Sequence, residues 1–331
     1  MNASILVVIA DPESRQSWKQ LLEDQGYQTV VIATGERVPD LCAYLRPDLV
    51  LLDASLPDVP GLEVCRRLKN DPRNALTPVV LIAGPSDDPG LSSLQGAGAD
   101  DLWGPRPTRW EALTRIQSLL QLKSYIDEQA EAVILSLART IEARDAYTRG
   151  HCERLATLGM QLGLKIGVSR EQVEALRVAG IVHDVGKVAV PDSVLLKAGP
   201  LTPQEILIIQ RHPVEGEHIC SPLKSLRRVL PIIRHHHERM DGSGYPDGLR
   251  GDAIPLAARI LQVVDIYDAL TTDRPYREAF SAEEALATLY SEAERGWLDP
   301  ALVRTFAPVA AAPKPSRSTD DFKRIGKSKS S

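Results

Sequence analysis

Pro47-Asp-Leu-Val-Leu-Leu-Asp53 is a short apolar run closed by an acid. It is too short for a buried helix and reads as a strand covered on both faces. Three similar runs accompany it: Ile5-Leu-Val-Val-Ile9, Thr29-Val-Val-Ile32 and Val79-Val-Leu-Ile82. Helix-like stretches at 13–25, 38–45 and 61–70 separate them. Strands alternating with helices of this length predict an α/β doubly wound parallel sheet with helices on both faces. Ligand chemistry in such sheets gathers at the carboxyl ends of the strands. Asp11 and Asp53 both fall there.

Outside this region the character changes. The chain has 331 residues, enough for two domains. Its 43% apolar and 25% charged content suits a globular protein with a full core. A net charge of −5 argues against a nucleic-acid binder. Cys42, Cys65, Cys152 and Cys220 form no CxxC pair, which disfavours disulfide frameworks and thiolate zinc sites. No apolar run approaches the ~20 residues of a membrane span, and no signal-peptide core is present, so a cytoplasmic protein without a membrane partner is expected. Residues 109–144 contain neither proline nor glycine and carry Leu113, Ile116, Leu119, Leu120, Leu122 and Ile126 at helical spacing. They read as a long connecting helix, either paired with a second copy in a homodimer or packed on its own domain. Helical patterning then continues to about residue 305, and a Pro-, Ser- and Lys-rich tail follows, expected to be disordered. The expected boundaries are 1–108, 109–135 for the connecting helix, 136–306 for an all-α bundle, and 307–331 for the tail.

All seven histidines lie at or after residue 151. His183-Asp184 is followed by Lys187, then His212, then His235-His-His237-Glu238, then Asp265 on a helical run. A single histidine is more often a satisfied core residue than a ligand. This many imidazoles with carboxylates and no thiolate match the ligand set of iron, manganese, nickel or zinc.

These residues resemble the HD-GYP subfamily of the HD metal-dependent phosphohydrolases. The resemblance is carried by His151, His183-Asp-Val-Gly-Lys187, His212, His236-His237-Glu238 and Asp241-Gly-Ser-Gly244-Tyr245-Pro246. It continues through Asp265, Asp268-Ala-Leu-Thr271 and Arg274-Pro-Tyr-Arg277, and spans about 130–305. It implies a binuclear phosphodiesterase that hydrolyses cyclic di-GMP to pGpG or GMP. His151, His183, Asp184 and Asp265 would hold one metal, and Asp184, His212, His236 and His237 the other, with Asp184 bridging. Iron or manganese is expected, with zinc, nickel and cobalt as alternatives. Two cations ~3.5–4 Å apart would activate a water for attack on phosphorus. Lys187, Arg274 and Arg277 would bind phosphate oxygens, with Lys187 and Asp184 taking the catalytic roles. Glu238 and Asp268 would orient imidazoles or arginines. His235 is the extra imidazole. Tyr147 stands where some members place a glutamate for a third metal, so two metals are expected. The loop carrying Asp241, Gly244, Tyr245 and Pro246 either closes the metal pocket or docks a diguanylate cyclase (GGDEF) domain.

The first domain resembles a response-regulator receiver over about 3–122, with Asp53 as phosphoacceptor and Asp11 as a magnesium ligand. Departures are marked. The first acid of the usual pair falls on Ala10, the hydroxyl residue after the fourth strand on Ala83, and the lysine after the fifth on Gly104. Fewer carboxylates weaken the magnesium site, and the missing lysine removes a partner for phosphoryl oxygens. The expectation is a degenerate receiver used for dimerisation or partner docking, not one switched efficiently at Asp53 by a histidine kinase. Two other functions stay open at this stage: a signalling scaffold with weak catalysis, and a phosphodiesterase for pGpG or cyclic GMP-AMP.

Overall fold

The structure is a computed structural model that describes residues 3–84, 96–104, 107–144, 150–273 and 277–311. Two compact units emerge, Met1–Leu137 with Glu215–Leu230, and Ala138–Val214 with Pro231–Ser331.

In the first unit, β1 (Ser4–Val8), β2 (Gln28–Ile32), β3 (Leu49–Asp53), β4 (Val79–Ile82) and β5 (Asp101–Trp103) form one sheet in the order β2-β1-β3-β4-β5. Every pairing is parallel. Side chains alternate across a strand, so each apolar run supplies two cores. Leu6, Val8, Val50, Leu52, Val79 and Leu81 pack on one face, and Ile5, Val7, Leu49, Leu51, Val80 and Ile82 on the other. Helices α1 (Pro12–Glu23), α2 (Val38–Leu45) and α3 (Gly61–Asn70) connect the strands. Gly61 opens α3 so close to β3 that a Cβ there would lie 2.1 Å from the Asp53 carbonyl oxygen. Residues 215–230 belong to this unit, where Lys224 donates to Asp48 at 2.6 Å and to the Ser4 hydroxyl at 3.1 Å. Nothing in the sequence pattern signalled that grouping.

Helix α4 (Arg109–Arg144) is one unbroken helix over the stretch whose spacing predicts it, and it continues past 135, the expected end of the connecting segment. The second unit contains α5 (His151–Ile166), α6 (Arg170–Val182), α7 (Asp192–Leu195), α8 (Pro203–Ile209), the start of α9 (His212–Cys220), α10 (Leu230–His235), α11 (Leu256–Leu270), α12 (Ala282–Glu294) and α13 (Pro300–Ala310). Capping boxes start α6, α8 and α12, at Ser169/Gln172, Thr202/Glu205 and Ser281/Glu284. Helix α13 overruns the expected tail boundary at 307, because Leu302, Val303 and Phe306 are buried and anchor it to Ala310. The remainder of the expected tail, 312–331, lies outside the described residues. No helix among the described residues is long and apolar enough to cross a membrane.

Candidate metal centre

Each ligand-type side chain sits where a helix begins, ends or passes the centre. His151 opens α5 after Gly150, which adopts φ +72°. His183 is the C-terminal cap of α6, and Asp184 begins the short 3-10 turn Val185–Ala189. This break lets two consecutive residues face one point. His212 opens α9, His236 and His237 follow α10 directly, and Asp265 lies within α11.

The ligand atoms fall into two groups: Asp184, His212, His236 and His237, and His151, His183 and Asp265. Asp184 stands between them. Its Oδ2 is 3.3 Å from His183 Nε2, and its Oδ1 is 3.1 Å from His212 Nε2. The structure thus brings together all seven residues singled out as metal ligands.

Second partners fix which nitrogen is available. His183, His212 and His236 each place Nδ1 against the carbonyl three residues earlier: Gly180, Ile209 and Ile233, at 3.3, 2.8 and 2.7 Å. A carbonyl only accepts, so Nδ1 carries the proton and Nε2 keeps its lone pair. His151 Nδ1 lies 2.8 Å from Asp268 Oδ2, which leaves its Nε2 facing Asp265 Oδ1 at 3.5 Å. Asp268 is in turn gripped by Arg154, at 2.5 Å from Nε and 2.8 Å from Nη2.

The unsatisfied atoms are informative. His183 Nε2 and Asp184 Oδ1 are buried and complete no hydrogen bond. Two Nε2 atoms, of His212 and His236, face each other at 3.3 Å. Lone pairs converging without a hydrogen to share are what a cation satisfies, and a set of imidazoles and carboxylates without thiolate fits divalent transition metals. Burial, then neighbouring imidazoles, holds His236 and His237 well below the ordinary histidine range, so they stay in the neutral, metal-binding form. Burial opposes charge on Asp184, but Lys187 and His183 outweigh it and keep the carboxyl ionised. Lys187 Nζ donates to Asp184 Oδ2 at 2.6 Å.

Other expected site residues surround these ligands. Glu238 was expected to orient imidazoles or arginines. It is instead fully buried and accepts from the Asp247 and Leu249 amides at 2.7 and 3.0 Å, gathering the loop after His237. The reason is that this loop's buried backbone donors need an acceptor. Within the loop, Asp241 accepts from the Ser243 amide at 2.9 Å. Gly244 is required by close approach, since a Cβ would stand 2.3 Å from Arg239 N. Tyr245 lies 4.8 Å from the His237 ring, and its peptide bond to Pro246 is cis. His235 turns away to Asp247, at 3.0 Å. Arg277 donates to the Ala269 and Leu270 carbonyls at 2.8 and 3.2 Å and lies over Phe280, so it caps α11. Arg274 and Tyr147 lie outside the described residues. Arg154 was not anticipated, although its spacing of three from His151 puts both on one helix face.

At the receiver end the acids are otherwise engaged. Asp11 caps α1 by accepting from the Ser14 amide at 2.7 Å. Asp53 accepts from the Ser55 amide at 3.0 Å. Arg15 donates to the carbonyls of Ile9 and Ala10 at 2.7 and 2.9 Å, beside the position where an acid is missing.

Comparison with known proteins agrees with this division. The family model described as HD domain matches residues 136–302, and that described as response regulator receiver domain matches 5–103. The cyclic di-GMP phosphodiesterase response regulator RpfG of Xanthomonas campestris pv. campestris is 36% identical over 329 residues, covering 92% of this chain and 86% of the relative. A cyclic di-GMP phosphodiesterase of Thermotoga maritima is 30% identical, covering 87% and 85%. The 3'3'-cGAMP-specific phosphodiesterase 1 of Vibrio cholerae is 36% identical over 172 residues, covering 52% of this chain and 40% of the relative.

Proposed function

The chain belongs to the HD-domain family and carries a response-regulator receiver at its N-terminal side, and from that premise we infer that it hydrolyses cyclic di-GMP to pGpG or GMP in a two-component pathway. The observation that carries this reading is Asp184, whose two oxygens reach toward two separate groups of imidazoles. When bound, two divalent cations supply Lewis acidity toward the phosphate and lower the pKa of a water. Iron or manganese is the proposed metal, and the nitrogen and oxygen donors accept either.

The chain's own residues hold that chemistry in place. Three backbone carbonyls and Asp268 fix the imidazoles of His183, His212, His236 and His151 with Nε2 inward. Asp184, ionised beside Lys187, is a ligand that needs no proton removed. Lys187 is near enough to share its charge with a phosphate oxygen as negative charge builds there. Tyr245 packs on the His237 ring, with its phenol kept neutral by burial. Arg274 and Arg277 are proposed to bind phosphates, which for Arg277 means leaving its carbonyl partners.

The receiver is proposed to dock a partner such as a histidine kinase without efficient phosphorylation of Asp53, and the loop carrying Tyr245 to dock a GGDEF domain. Homodimerisation through α4 is supported by Leu122, Ile126 and Val133, 55%, 36% and 67% exposed at helical spacing. A 3'3'-cGAMP activity is the second reading, favoured by the similarity to the Vibrio cholerae enzyme. Product analysis with both dinucleotides, on protein whose metals are counted, decides between them. The inference holds if cyclic di-GMP is the better substrate and fails if only 3'3'-cGAMP is consumed.

A further inference from the structure

Beside the metal groups, and wholly within the second unit, lies a cavity of about 350 Å³. Its lining includes His236, His237 and Asp265 from the metal groups together with Arg239, Glu292 and Trp297. We propose that this cavity takes a guanine base of the substrate, with Arg239 on Trp297 as the stacking surface and Glu292 as the residue that reads the base. The proposal rests on the cyclic di-GMP reading and says which part of the site makes it selective for guanine.

The stacking surface is already assembled. Arg239 holds its guanidinium carbon 4.0 Å above the centre of the Trp297 ring. The backbone fixes the pair too, since the Met240 amide donates to the Trp297 carbonyl at 3.1 Å. A guanidinium laid on an indole leaves its outer face as a flat, cationic plane, and unpaired bases stack on such planes as they do on aromatic rings.

The reading group follows from its place in the cavity lining. Glu292 is half-buried on α12, and among the described residues no hydrogen bond or ion pair reaches its carboxyl group. Burial pushes that carboxyl upward in spite of Arg239 and Arg295. An ionised carboxylate is acceptor-only and has two oxygens side by side. The Watson–Crick edge of guanine presents two adjacent donors, N1–H and the N2 amine, which match those oxygens. Adenine presents one donor and one ring nitrogen whose lone pair would face the carboxylate. The shared lining of His236, His237 and Asp265 places a base bound here beside the point where its own phosphate would be processed.

The test uses the full chain loaded with manganese and two probes, GMP and AMP, with binding measured by calorimetry. GMP is expected to bind at least about tenfold more tightly than AMP, within the range one well-placed pair of hydrogen bonds discriminates. Glu292→Gln, which matches the size but replaces one acceptor with a donor, is expected to bring the two within about twofold by weakening GMP. Glu292→Asp should keep the sign of the preference. Arg239→Ala should weaken both nucleotides alike. Equal binding of GMP and AMP by the unaltered protein, or an unchanged preference in Glu292→Gln, overturns the proposal. Binding is read without turnover, so the two readings fail separately. Guanine preference without cyclic di-GMP hydrolysis removes the function and keeps the subsite; hydrolysis without base preference removes the subsite alone.

Discussion

The two units both place acids where strands or helices end, yet only in the second do they stand among imidazoles that together could hold a metal, among the described residues. In the receiver, Asp11 is committed to the cap of α1 and Asp53 to the Ser55 amide, while Arg15 covers the carbonyls beside Ala10. In the second unit His151, His183, His212 and His236 each spend one nitrogen on a fixed partner and turn the other toward the centre. Asp184 keeps a buried oxygen with no hydrogen bond at all. A ligand is recognised by what it leaves unpaired, and residue type alone does not separate these two places.

The largest effect that would break this comparison is at Asp184. Asp184→Ala is expected to reduce turnover to background and bound metal from about two ions per chain to fewer than one, because the ligand proposed to bridge the two groups is lost. Circular dichroism on the same sample should show the helices retained. Normal turnover would sink the assignment of the centre.

Next comes the support behind His151. Removing a partner that orients a ligand imidazole weakens metal binding by about 10–100-fold. Arg154→Ala and Asp268→Asn should both do so, read by manganese titration, and only for one of two bound ions. Two ions held with unaltered affinity would show that the Arg154–Asp268–His151 chain is merely structural.

Packing of the loop after His237 sharpens the contrast at a smaller scale. A Cβ at Gly244 collides with the backbone of Glu238 and Arg239, the closest approach being 2.3 Å. Gly244→Ala should therefore cost about 1–3 kcal/mol in denaturant unfolding, as overpacked sites do. No loss would mean that the loop relaxes freely.

The smallest effect belongs to the receiver. Asp53→Ala is expected to change activity by less than about twofold, on the order of 0.4 kcal/mol. A large change in steady-state turnover would show that the receiver still signals through that carboxylate.

Much of this was legible from residues alone. The strands were readable because Val, Leu and Ile run unbroken where both faces of a parallel sheet are covered, as at Leu49–Asp53. The ligand residues were readable because imidazoles cluster there and are absent from the first 150 positions. What stayed hidden depends on contacts distant in sequence. Arg154 meets Asp268 across 114 residues, and no local pattern announces it. Glu238 looked like a partner of its neighbouring histidines, but its carboxylate is spent on amides nine and eleven residues later. The grouping of 215–230 with the receiver has no compositional mark either.

The most direct test of the account is hydrolysis of cyclic di-GMP by protein purified without oxygen, with the metal counted on the same sample. About two metals per chain and the appearance of pGpG or GMP is the expected result for a binuclear centre. Protein that carries both metals and leaves cyclic di-GMP intact would contradict it.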